Sequence, residues 1–203
     1  MILKKLATGM FNSNSYIAGA DGDAVVIDAG VKETKMIEAA SKEGLTIRYI
    51  ILTHVHIDHI AYIDELKAAT GATTVAHRKD APHMRDAWRN GAKLFGKNSV
   101  YEPIDLEVDD GDSITVGGIV FKFIHTPGHT SGGMCILAED NLFTGDTLFY
   151  KSIGNTSLGD GNDDLLLKSI NERLFTLPPD TKVFPGHGIQ STIGFEKANN
   201  PYV

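Results

Sequence analysis

Between Thr53 and Ile60 the chain reads T-H-V-H-I-D-H-I, three imidazoles and a carboxylate directly after the apolar run Ile47–Leu52. If the backbone stays extended through Thr53–Val55, His54 and His56 project to one side, because strand side chains repeat every two residues. Asp58 and His59 come just before a helix expected at Ile60–Ala69, so they turn with the chain and open a second, adjacent position for a metal. Taken alone, Asp58 could equally be the N-cap of that helix. Taken together, four such groups buried without partners would cost several kcal/mol, which bound metal offsets. Spacing and ligand type constrain the motif as tightly as the H-E-x-x-H zinc signature.

Three later segments are built alike, H-T-P-G-H-T-S-G-G at His125–Gly133, T-G-D-T at Thr144–Thr147 and P-G-H-G at Pro185–Gly188. Each sets His129, Asp146 or His187 beside glycine and after an apolar strand, where glycine lets the backbone turn sharply and approach a ligand. One such segment is an ordinary strand-to-loop turn. Three of them, added to the first motif, point to a shared metal site.

Elements must bring these scattered residues together. Apolar, β-branched runs predict strands at Ala24–Asp28, Ile47–Leu52, Thr73–Ala76, Ile119–Ile124, Met134–Leu137 and Lys182–Phe184. Helices are expected at Lys32–Lys42, Ile60–Ala69 and Asp164–Leu174. This alternation predicts an α/β layered domain. Gly111, Gly117 and Gly118 flank Ser113–Val116 as hairpin turns, which makes part of the sheet antiparallel. Residues His77–Glu102 hold no clean strand and are broken by Pro82, Gly91 and Gly96, a loop-rich excursion of the kind that covers sites.

The 203 residues suit one domain over 1–203, and 42% hydrophobic with 22% charged residues is an ordinary globular composition. A formal charge of −7 provides no field for a polyanion, so a small-molecule substrate is expected and nucleic acid is not. The basic residues from Arg78 to Lys97 are interrupted by Asp80 and Asp86 and read as a solvated, mixed-charge face. No signal peptide or membrane span is expected, and the lone Cys135, inside M-C-I-L, reads as a buried structural thiol. A reducing cytoplasm fits these features; oligomeric state is left open.

The motifs H-x-H-x-D-H, then a later histidine, an aspartate and a last histidine, resemble the mark of the metallo-β-lactamase superfamily. Those positions are His54, His56, Asp58 and His59, then His129, Asp146 and His187, and the likeness extends from A-V-V-I-D-A-G, with Asp28, to the C-terminal T-I-G-F-E-K-A-N-N-P-Y-V. The resemblance implies a four-layer αβ/βα sandwich of two mixed β-sheets flanked by helices. It further implies one metal on His54, His56 and His129, another on Asp58, His59 and His187, with Asp146 bridging and a shared water as nucleophile.

Within the superfamily the segments T-P-G-H-T-S-G-G, G-D-T-L-F and P-G-H-G are most similar to short, glyoxalase II-like hydrolases. Two departures bear on substrate. Length leaves no room for the C-terminal helical domain of full-length glyoxalase II, and S-I-G-N-T-S-L-G-D-G puts Asn155 where relatives carry an arginine. Two divalent ions, zinc first and iron or manganese also suited, acidify a shared water for attack on a carbonyl. Asp58 is expected to orient that water or accept its proton, and Asp28 to fix a histidine tautomer. Thioester hydrolysis of the hydroxyacylglutathione type is the leading expectation, with Tyr150, Lys151 and Asn155 as substrate contacts. Rival expectations are a one-iron persulfide dioxygenase on His54, His129 and Asp146, a lactonase, and a metal-stabilised binding module.

Overall fold

A computed structural model describes residues Met1–Val203. In chain order its strands are β1 (Ile2–Leu6), β2 (Ser15–Ala20), β3 (Asp23–Ile27), β4 (Thr46–Ile51), β5 (Thr73–His77), β6 (Leu106–Val108) and β7 (Ser113–Val116). They continue with β8 (Ile119–His125), β9 (Met134–Ala138), β10 (Asn141–Gly145), β11 (Leu148–Phe149), β12 (Ser152–Ile153), β13 (Lys182–Pro185) and β14 (Ser191–Thr192). The helices are α1 (Glu33–Lys42), α2 (Ile57–Ile60), α3 (Ile63–Thr70), α4 (Asp163–Ser169) and α5 (Ile193–Asn199).

One six-stranded sheet runs β1-β2-β3-β4-β5-β6, antiparallel up to β3 and parallel from β3 onward. The other runs β14-β13-β10-β9-β8-β7, with only β10 and β13 parallel. The β7–β8 hairpin closes on Gly117 and Gly118, both at positive φ (53° and 74°), the backbone that a two-residue turn matched to strand twist demands.

Side-chain alternation assigns each strand face to a layer. On β3, Val25 and Ile27 meet the opposite sheet in a central core with Phe121, Phe123, Ile136 and Phe143. Its other face, Ala24 and Val26, packs beneath α1 and α3 with Met36, Ala40, Ile63 and Leu66. On β9, Ile136 faces the central core while Cys135 packs against α4 and α5 with Leu166, Ile170 and Ile193. The result is helix, sheet, sheet, helix: the expected sandwich. The Cys135 thiol is fully buried, which pushes its pKa up to about 11 and keeps it inert.

Two expected helices are divided. Helix Ile60–Ala69 is two helices, since Ala61 and Tyr62 break the run, with Tyr62 at φ −126° as N-cap of α3. Asp58 therefore lies in the first turn of α2, capped by His56, and is not itself an N-cap. Helix Asp164–Leu174 is α-helical only to Ser169 and finishes as a π-helical turn over Ile170–Leu174. The excursion after β5 is loop-rich as expected, with short 3-10 turns at Ala81–Arg85 and Ala92–Phe95. No helix is long and apolar enough to cross a membrane.

Candidate metal centre

Five strands end at one place. β3 runs into Asp28, β4 leads to His54 and His56, the β8–β9 loop carries His129, β10 runs into Asp146 and β13 leads to His187. Within each sheet these strands share a direction: β3 and β4 are parallel, β10 and β13 are parallel, and β8 reaches the same sense through antiparallel β9. Such convergence beyond the carboxyl ends of strands is where α/β sheets hold their ligands.

All seven predicted metal-site residues are brought together there. Donor atoms of His54, His56 and His129 lie within 4.8 Å of one another, as do those of Asp58, His59 and His187. Asp146 touches both groups: Oδ2 is 3.7 Å from His129 Nε2 and 3.6 Å from His187 Nε2, and Oδ1 is 3.4 Å from His59 Nε2. The ring nitrogens of His56 (Nδ1) and His129 (Nε2) face each other at 2.8 Å. His187 Nε2 stands 3.0 Å from Asp58 Oδ2 and 3.3 Å from His59 Nε2.

The outer nitrogens have fixed jobs. His59 Nδ1 donates to Asp28 Oδ2 at 2.8 Å. Thr53 Oγ1 donates to the same oxygen at 2.8 Å, so it accepts from His54 Nδ1 at 3.1 Å. His129 Nδ1 donates to the Asn155 carbonyl at 2.6 Å. These bonds turn the Nε2 lone pairs of His54, His59 and His129 inward. His54 Nε2 and Asp146 Oδ1 are buried with no hydrogen-bond partner, a state that structures tolerate only with a reason. Inward lone pairs, two orphaned acceptors and nitrogens set head to head fit divalent cations, and imidazole with carboxylate suits zinc, iron or manganese.

Electrostatics agree with that fit. Burial, together with the neighbouring imidazoles, holds His54 well below its ordinary pKa and takes His56 down to about 3, so both keep lone pairs available. Burial alone would lower His59 too, but the carboxylates of Asp58, Asp146 and Asp28 outweigh it and raise the group well above its usual value; a bound cation would take the place of that proton in the same negative field. Burial would likewise raise Asp146; the charges of His59, His129 and His187 instead hold it far down, as an anion.

Close backbone approach is part of the site. A Cβ at Gly186 would collide with the Asp146 carboxylate and the His59 ring, so only glycine fits. Asp28 sits at φ 59°, a strained backbone for an L-residue that aims both its oxygens at Thr53 and His59. Asp28 is therefore placed as its motif suggests.

Substrate-contact candidates land less uniformly. Tyr150 lies beside His187 and stacks on Phe195 at 5.3 Å. Lys151 adopts φ 54°, its amide held by the buried Glu196 carboxylate at 2.8 Å and its ammonium 5.7 Å from the Tyr150 ring centre. Asn155 meets the centre through its carbonyl, while its side chain turns to the Ser157 amide at 2.7 Å. Two supporting residues escape the motif reading. Ser13 pairs its backbone with His187 and donates its hydroxyl to the Asp58 carbonyl at 2.8 Å, and Asn90 uses its carbonyl to hold the Ile57 amide at 2.8 Å. A lone serine and a lone asparagine in loops carry no spacing signal.

Known proteins resemble this chain in sequence and fold. The chain is 30% identical, over 98% of its length and 96% of the relative's, to a probable metallo-hydrolase, YqgX, of Bacillus subtilis. It is 29% identical to the hydroxyacylglutathione hydrolase GloC of Haemophilus influenzae, over 93% and 91% of the two chains. Among solved structures, the B3 metallo-beta-lactamase BLEG-1 superposes with TM-score 0.93 at 35% identity, covering 99% of each chain. TTHA1623 in a di-iron-bound form does so with TM-score 0.87 at 29% identity, covering 98% of this chain and all of the other. A family model matches residues 8–187, a span that takes in all seven clustered residues, and on this the chain belongs to the metallo-beta-lactamase superfamily.

Proposed function

We propose that this metallo-hydrolase is a two-metal thioesterase acting on small S-hydroxyacylglutathione-like substrates. The observation that carries it is the pair of donor sets, His54/His56/His129 and Asp58/His59/His187, with Asp146 in reach of both. When bound, two divalent cations supply a water of lowered pKa and polarise the substrate carbonyl. Zinc is the first candidate, and the di-iron form of a structural neighbour keeps iron open. Asp58, in the wall of the site and held as an anion despite burial by His59 and His187, orients the attacking water and takes its proton. The departing thiolate needs little protonation, so no further acid is demanded of the chain. Likeness to GloC supports the substrate class.

A one-iron dioxygenase on His54, His129 and Asp146 is the second reading, which likeness at 32% identity to ETHE1 of Myxococcus xanthus supports. Purified protein loaded separately with zinc, iron or manganese should bind two ions per chain and cleave S-lactoylglutathione, with loss of activity on chelation. One ion per chain by elemental analysis overturns the two-metal reading; absence of turnover in every fully loaded form overturns the substrate class.

A further inference from the structure

Beside His187 a cleft of about 350 Å³ is lined by Phe149, Tyr150, Gly188 and Ile189, with no charged side chain other than the imidazole itself. Ile189 is 59% exposed and Tyr150 41%, and the Phe149 ring stands edge-on to His187 at 6.2 Å. Hydrophobic side chains of this size left in water beside a polar cluster mark a binding surface. Two ammonium groups touch the lining from outside it, Lys5 on the Gly188 carbonyl at 2.5 Å and Lys151 over the Tyr150 ring.

We propose that the cleft of Phe149, Tyr150 and Ile189 receives a hydrocarbon acyl chain, making the substrates alkanoyl thioesters rather than only short hydroxyacyl ones. The inference rests on the thioesterase reading. With the carbonyl at the candidate metal centre, the acyl chain extends past His187 into the cleft, and each added methylene leaves water. The thiol then needs no dedicated anion site in this cleft, whose lining includes no lysine or arginine.

The test uses metal-loaded protein and acetyl, butyryl and hexanoyl thioesters of one thiol, N-acetylcysteamine. Partial burial predicts that kcat/KM rises about threefold per methylene. Ile189→Ser, at an exposed side chain, should flatten that slope. In parallel, calorimetry follows the binding of butanoate, hexanoate and octanoate, which needs no turnover, and affinity should rise in the same proportion. Turnover with a flat slope overturns the acyl-chain assignment and leaves the thioesterase reading standing. A slope unchanged in Ile189→Ser overturns the assignment to this cleft. Alkanoate affinity that rises with length without turnover of any thioester supports the cleft and overturns the thioesterase reading.

Discussion

Asp28 shows how much of the candidate centre depends on a residue that is not a metal-site donor. Its two oxygens hold the Thr53 amide, the Thr53 hydroxyl and His59 Nδ1, and through Thr53 they orient His54. Asp28→Asn keeps the size and tolerates the left-handed backbone but weakens those bonds, so metal affinity should fall about 10- to 100-fold with the fold intact, as metal titration against a chromophoric chelator will read. The seven clustered residues were legible because H-x-H-x-D-H and the Gly-flanked His129, Asp146 and His187 are spaced, typed and placed after apolar runs. Ser13 and Asn90 were not, since their part is played by a backbone pairing and a carbonyl that any residue type can offer. Asn155 reads the same way: its identity suggested a substrate contact, whereas its contact with the cluster is main-chain. Away from the centre, burial and the charge of stacked His125 lower His77 to about 4. The unfolded chain takes up that proton near pH 6.5, so the stability His77 supports is whole above that value and is lost as pH falls from about 6.5 to 4. Across this window the denaturation midpoint of His77→Gln should fall less steeply than that of the wild type, with Asp109, Lys79 and Arg78 as common background.

Elements position the centre through a few buried polar ties. Asp80, at the start of the excursion, accepts from Thr130 Oγ1 at 2.8 Å and from the Gly132 amide at 2.7 Å, clasping the loop that carries His129. Asp80→Ala strands both donors and should cost about 2–4 kcal/mol in urea unfolding, with metal occupancy falling alongside it. Strands with strong alternation or continuous apolar character, Ala24–Ile27 and Met134–Leu137 among them, were readable because they sit inside two buried layers. Strands β1 and β6 were not: I-L-K-K-L carries two lysines, and Leu106–Val108 is too short for a period to show. The break between α2 and α3 escaped as well, because the apolar pattern from Ile57 to Leu66 runs on while the Tyr62 backbone does not.

At the scale of the whole molecule, the candidate centre lies where both sheets end, so ions bound there would bind the native state alone. Free metal at a hundredfold over its dissociation constant should then add about 2.7 kcal/mol, or roughly 5–10 °C in Tm for a chain of this size, abolished by chelator in a calorimetric scan. The pairing of Ser13 with His187 and the approach of His187 to Asp58, 129 residues away in sequence, carry a kinetic meaning. No segment shorter than most of the chain holds the full set of donors, so the site comes into being only after two sheets of high contact order have docked, late on the folding path. Bound ions are then absent from the rate-limiting barrier. In stopped-flow experiments added metal should leave the refolding rate unchanged and slow unfolding by the entire stabilisation, making it a brake on escape from the native state rather than a guide towards it.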